Sequence, residues 1–158
     1  MDPLIGLIAI CAPAIDPVTA HALVLQESGG NPYAIHVNGS RRQPRAFSEA
    51  QAVSIARAYV DAGYSVDMGY AQINSGEIHR LGITVAQVFE PCVNLAAMQT
   101  MLTENYLRAA GEYGPGQRAL GAALSTYNTG NNARGFGNGY IGALVQQVRR
   151  FRGTRDLH

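Results

Sequence analysis

Residues 16–32 read Asp16-Pro17-Val18-Thr19-Ala20-His21-Ala22-Leu23-Val24-Leu25-Gln26-Glu27-Ser28-Gly29-Gly30-Asn31-Pro32, a helix with both of its ends written in. Asp16 is an N-cap residue, and Pro17 suits the first helical position, where its missing N–H sacrifices no hydrogen bond. Two glycines and a proline then stop the chain after Ser28. The spacing predicts a helix over 17–27 that carries Glu27 in its last turn. There the negative end of the helix dipole disfavours a carboxylate and raises its pKa. With apolar shielding as well, the carboxyl stays protonated near neutral pH and can serve as a general acid. Taken alone, an ordinary solvated helix end competes with that reading, because most glutamates are exposed.

Helix signals dominate the rest of the chain. Ser48 with Gln51 three residues later reads as a capping box, followed by Ala52, Ile55, Ala56, Tyr59 and Val60 at helical spacing and a stop at Gly63. Thr84 and Gln87 repeat the pattern for a short helix ending before Pro91. A long helix over 92–113 carries Leu95, Met98, Leu102 and Tyr106 on one stripe, where Met98 reads as core filling. Two more helices are expected over 117–127 and 140–151, separated by a glycine-rich loop. Residues 33–45 read as a loop or a small, poorly buried hairpin. The sum is an all-α or α-dominated fold, a compact helical domain with a small irregular strand region lining a cleft.

The chain has 158 residues, enough for one domain with its own core. With 47% apolar and 15% charged residues, wholesale disorder is excluded. A formal charge of +1 argues against a protein that reads nucleic-acid phosphates with one basic face. The basic residues are grouped: Arg149, Arg150, Arg152 and Arg155 form a C-terminal tail, and Arg41, Arg42 and Arg45 a second cluster. Both read as solvated segments, with contact to an anionic surface as the alternative. The apolar run from Pro3 to Ala14 is too short to span a bilayer and lacks the basic flank of a signal peptide. Cys11 and Cys92 permit a single pairing within the chain, and from composition alone they read either as two buried thiols or as a disulfide. With no CxxC and no clustered histidines, neither a metal site nor a cofactor is expected.

Two further segments offer polar groups to a ligand. Asp67-Met68-Gly69-Tyr70-Ala71-Gln72-Ile73-Asn74 suits an irregular strand along a cleft, with Gln72 and Asn74 presenting neutral donors and acceptors to a sugar. A polar loop is the alternative. Ala123-Leu124-Ser125-Thr126-Tyr127-Asn128-Thr129-Gly130 delivers a phenol and an amide at one helix end, where Asn128 reads equally well as a helix cap.

Separately these patterns are weak. In this order and spacing, Glu27-Ser28-Gly29, Gly69-Tyr70-Ala71-Gln72-Ile73-Asn74 and Ala123-Leu124-Ser125-Thr126-Tyr127-Asn128-Thr129-Gly130 resemble the lytic transglycosylases with the goose-lysozyme-like fold. Cys11-Ala12-Pro13, Glu90-Pro91-Cys92-Val93-Asn94-Leu95 and Gly135-Phe136-Gly137-Asn138-Gly139-Tyr140 look similar to the small branch that accompanies type IV secretion and conjugation systems. The resemblance covers most of the chain. It implies one transglycosylase SLT-like domain over 1–158, with a core over about 11–151.

By that resemblance, Glu27 is the catalytic acid and base and Ser28 supports it. Tyr70, Gln72, Asn74, Tyr127 and Asn128 line the glycan cleft, and Cys11 pairs with Cys92. One departure stands out: Gly69-Tyr70-Ala71-Gln72 replaces the family's usual Gly-Leu-Met-Gln, so the methionine that would line the cleft is absent. The implied substrate is the peptidoglycan glycan strand, the implied partners are components of a type IV secretion apparatus, and the implied location is periplasmic or secreted. The implied reaction needs one carboxyl and the sugar's own C6 hydroxyl, where most glycosidases use two carboxylates. A hydrolytic goose-type muramidase is the rival chemistry, and Asp67 is the nearby carboxylate that would serve it. A non-catalytic glycan-binding assembly subunit is the rival from another class.

Overall fold

The computed structural model describes residues 2–129, with Asn128 and Thr129 described by their backbone alone. The helix expected over 140–151, the glycine-rich loop before it and the arginine-rich tail lie outside the described residues. Ten elements follow in order: α1 (Pro3–Cys11), α2 (Pro17–Ser28), β1 (Ile35–Val37), α3 (Glu49–Asp61), β2 (Val66–Met68), β3 (Ile73–Asn74), α4 (Ser75–Ile78), α5 (Val85–Val88), α6 (Pro91–Tyr113) and α7 (Gln117–Thr129). The α-dominated class is as expected.

Helix ends form where the caps place them. The Asp16 carboxylate accepts from the Thr19 N–H at 3.0 Å, and Gly29 closes α2 in the left-handed conformation (φ 65°). Thr84 and Gln87 make the reciprocal capping box of α5. At α3 only half of the expected box forms. Ser48 accepts from the Gln51 N–H, but the Gln51 side chain reaches past Ser48 to the Phe47 N–H at 2.9 Å.

The apolar run at the N-terminus becomes α1, capped by Asp2, with Leu4, Ile8 and Cys11 buried in the fold. Among the described residues, no helix is long and apolar enough to cross a membrane. The segment over 33–45 does not fold back on itself as a hairpin. Its three residues Ile35, His36 and Val37 pair antiparallel with Met68, Asp67 and Val66, and β2 pairs in turn with β3. The burial of β1 alternates accordingly: Ile35 and Val37 face the core and His36 faces outward.

Helix α6 is the spine of the fold. Leu95, Met98 and Leu102 are buried and Tyr106 is partly so, as the stripe predicted. It packs against α7, α1 and α5. Cys92 at its start is joined to Cys11 at the end of α1 across 81 residues of sequence. Beside this bridge the Ala14 N–H donates to the Gln99 side chain at 2.7 Å, so the α1–α2 connection is held to α6 twice. Closing so long a loop stabilises the fold by roughly 4–5 kcal/mol in the loop-entropy account. Reduction should therefore lower the melting temperature by roughly 10 °C or more for a domain of this size. Thiol titration of denatured, unreduced protein should find no free thiol, and two titrating thiols would contradict the bridge.

Candidate active site

The α2 helix ends one residue after Glu27, and Ser28 secures that last turn. Its hydroxyl donates to the Val24 carbonyl at 3.1 Å and accepts from the Gly30 N–H at 3.3 Å. Glu27 is half-buried there and faces a cavity of about 300 Å³. Among the described residues the walls are Glu27, His36, Asp67, Gln72 and Tyr127, drawn from α2, β1, β2, the β2–β3 turn and α7. Three residues expected from sequence thus meet in one hollow, and Asp67 joins them. A larger depression of about 630 Å³ between α3 and α5 holds none of the expected residues, so volume alone does not mark the site.

The β2–β3 turn that presents Gln72 is tightly built. Gly69 has φ 78°, and a Cβ there would collide with the side-chain amide of Asn94. Gln72 is the one non-glycine residue with positive φ among the described residues, at 54°. A conformation so rarely adopted by residues with a Cβ persists only where the surroundings enforce it. Here the Gln72 side-chain amide donates to the Ala34 carbonyl at 3.1 Å and the Gly69 carbonyl at 3.0 Å, while its own N–H donates to Gly69 at 3.1 Å.

The enforcing residue is Asn94, on α6 and 1% exposed. Its side-chain oxygen accepts from the Ala71 N–H at 2.8 Å, and its NH₂ donates to the Met68 carbonyl at 2.9 Å and the Val88 carbonyl at 2.8 Å. Sequence reasoning quoted Asn94 only as part of a family-like stretch and gave it no role. The available signal was an amide on the otherwise apolar buried face of this amphipathic helix.

Tyr127 brings α7 to the same turn. Its hydroxyl donates to the Ala71 carbonyl at 2.8 Å, and burial pushes the phenol pKa well above its ordinary value, with the nearby Glu27 and Asp67 carboxylates adding to the rise. The phenol is therefore a neutral hydrogen-bonding group at any working pH. The Asn128 side chain lies outside the described residues.

Asp67 is held from several sides. One oxygen accepts from the Asn74 amide at 2.8 Å, the other accepts from the Asn38 amide at 3.1 Å, and His36 Nδ1 stands 3.5 Å away. Asn74 is spent on this work. Its NH₂ also donates to the Ser65 hydroxyl at 2.8 Å, and its carbonyl caps α4 through the Gly76 N–H at 2.8 Å. Asn74 stands outside the cavity lining and fixes Asp67. Tyr70 also stands outside it, half-buried against the core, where burial and the neighbouring Tyr33 raise its phenol pKa. His36 and Asn38 were not predicted; the buried–exposed–buried rhythm of Ile35-His36-Val37 was their only sequence signal.

A family model, the transglycosylase SLT domain, matches residues 7–144. The chain belongs to the transglycosylase SLT domain family. This SLT domain is 41% identical over 140 residues to the type IV secretion system protein virB1 of Brucella abortus, an alignment covering 86% of the chain and 58% of that relative. It is 39% identical over 132 residues to the protein virB1 of Rhizobium radiobacter, covering 83% of the chain and 54% of the relative. The virB1 of Agrobacterium fabrum is 34% identical over 132 residues, covering 83% and 53%. The chain thus spans little more than half the length of these relatives. No solved structure matches it.

Proposed function

We propose that this SLT domain is a peptidoglycan lytic transglycosylase that cuts the glycosidic bond between MurNAc and GlcNAc, with Glu27 as acid and then base. One observation carries the reading: in a chain of the transglycosylase SLT family, Glu27, Gln72 and Tyr127 converge from three distant segments on one hollow. The Glu27 carboxyl gives its proton to the glycosidic oxygen as the C1–O bond breaks. The C6 hydroxyl of the same MurNAc then closes on C1 and returns its proton to the Glu27 carboxylate. No water is consumed, and the strand ends in 1,6-anhydro-MurNAc. In this reading Gln72 and the Tyr127 hydroxyl orient the sugar through their acceptor oxygens, and both are neutral, as an uncharged ring requires. Ser28 acts by fixing the turn that carries Glu27, and Asn74 by fixing Asp67.

The Brucella abortus relative is named as a type IV secretion system protein. We extend that setting to this chain: local opening of the cell wall in the periplasm, beside components of such an apparatus.

A second reading has its own observation. Asp67 shares the cavity with Glu27, and a second carboxylate is what a hydrolase uses to activate water or to stabilise the oxocarbenium ion. The two chemistries separate on Asp67→Asn. Transglycosylation through C6 survives the change with the same anhydro product and a modestly lower rate. Hydrolysis loses its reducing ends by about a hundredfold or more. Digestion of purified sacculi, with soluble glycan quantified for both proteins, makes the measurement.

A further inference from the structure

The loop over 38–47, which leads from β1 to α3, is cationic at its surface and hydrogen-bonded beneath. The Gln43 side chain lies along Val37 like an added strand, accepting from its N–H at 2.7 Å and donating to its carbonyl at 2.9 Å. The same amide donates to the Ser40 carbonyl at 2.9 Å, and the Ser40 hydroxyl donates to the Arg42 carbonyl at 2.8 Å. This frame holds Arg41, Arg42 and Arg45 outward and exposed. Among the described residues none of the three makes an ion pair, whereas Arg80 takes both Glu77 and Glu104.

At the end of the loop Phe47 is 78% exposed, although its backbone is pinned to Gln51. Phe47 and Arg45, with Asn31, Tyr33, Ala34 and Ile35, line a cavity of about 450 Å³. That cavity adjoins the Glu27 hollow. Ala34 and Ile35 wall one, His36 walls the other, and the Ala34 carbonyl holds the Gln72 amide. An aromatic face left in water beside unpaired guanidinium groups is the composition of a binding surface for a ligand both apolar and anionic.

We infer that the cavity between Tyr33 and Phe47 is a subsite for the carboxylate-bearing stem peptide of the muramoyl sugar. Arg45 meets its carboxylates, and Phe47 and Tyr33 cover its aliphatic side chains. The inference rests on the glycan-cleaving reading above. The stem peptide is joined through a lactyl ether to the same ring whose C1 is attacked. A strand seated with that C1 at Glu27 must therefore place the peptide within a few ångströms of the hollow, and this cavity is the adjoining cationic one. The charge is local, because the whole chain carries only +1.

The test measures binding apart from cleavage, by calorimetry with MurNAc, with MurNAc-pentapeptide, and with that peptide amidated at its carboxylates. None has a glycosidic bond to cut. The unamidated pentapeptide should bind the wild type about tenfold tighter than MurNAc, an advantage that shrinks with added salt. Arg45→Glu and Phe47→Ala should each bring that ratio close to one. Both positions are exposed, so an unchanged melting temperature confirms that the variants are folded. Equal binding of peptide and bare sugar by the wild type would overturn the inference, and so would a ratio untouched by either variant. An amidated peptide that binds as tightly as the acidic one would overturn the anionic assignment. Sacculus digestion run alongside keeps the two readings apart. Cleavage without peptide discrimination overturns the subsite alone, and discrimination without cleavage overturns the enzymatic reading and leaves the subsite standing.

Discussion

Glu27→Gln is expected to abolish glycan cleavage while the fold and glycan binding persist. Glutamine keeps the size and most of the hydrogen bonding of glutamate but has no proton to give the leaving oxygen. General acid–base catalysis contributes about 10²–10⁴-fold, and in the proposed mechanism one group serves as both acid and base, so the loss should reach at least the lower figure. The neighbouring Asp67 does not take over. Its two oxygens already accept from Asn38 and Asn74, which hold it in place as an acceptor. Initial rates on purified sacculi, with a melting curve for each protein, make the measurement. A folded Glu27→Gln protein that digests sacculi at near wild-type rate would remove Glu27 from the mechanism and direct attention to Asp67.

The second large effect is expected far from the reacting bond. Asn94→Ala removes three hydrogen bonds and strands the Ala71 N–H and the Met68 and Val88 carbonyls in a buried place. Each stranded group costs about 1–3 kcal/mol, and partial relaxation of the turn leaves a net loss of about 3–5 kcal/mol. Urea unfolding reads that loss directly. Activity should fall as well, in protein still folded at low temperature. The turn that Asn94 holds is the one that keeps Gln72 at positive φ and offers the Ala71 carbonyl to Tyr127. A loss of stability under 1 kcal/mol with full activity would show that the turn stands without its buried amide.

These two residues mark what was legible in the sequence and what was not. The helix end that carries Glu27 could be placed because a helix end is a local matter, whereas the role given to Glu27 came from the family resemblance. Asp16-Pro17 and Gly29 fix α2 within a few residues, and the same holds for Thr84 with Gln87 and for the apolar stripe of α6. The sheet had no such signal. Its strands are two or three residues long, too short for a periodicity, and Ile35 finds Met68 only once the helices have packed. For the same reason the loop or small hairpin expected over 33–45 supplies instead a short strand that pairs with a distant segment. The polar residues of the β2–β3 region read as donors and acceptors for a ligand, but composition could not say where each would turn. Gln72 turns to the hollow while Asn74, two residues on, is saturated by Ser65, Asp67 and Gly76. Asn94 was harder still, since one amide among several polar residues of an amphipathic helix looks like any tolerated polar residue until its three partners are seen. The pairing of Cys11 with Cys92 came from the family-like contexts of both cysteines, and the structure contains it.

The chemistry at C1 is the central claim, and the ends of the released glycan report it most directly. Soluble muropeptides from a sacculus digest by the wild-type domain, resolved by mass spectrometry, should carry 1,6-anhydro-MurNAc ends, each lighter by one water than a hydrolysed end. Digestion in heavy-oxygen water should leave those ends unlabelled. Reducing MurNAc ends that carry the heavy oxygen would contradict the account and make Asp67 the partner of Glu27 in a hydrolase. A digest that releases no soluble glycan at all would contradict both chemistries.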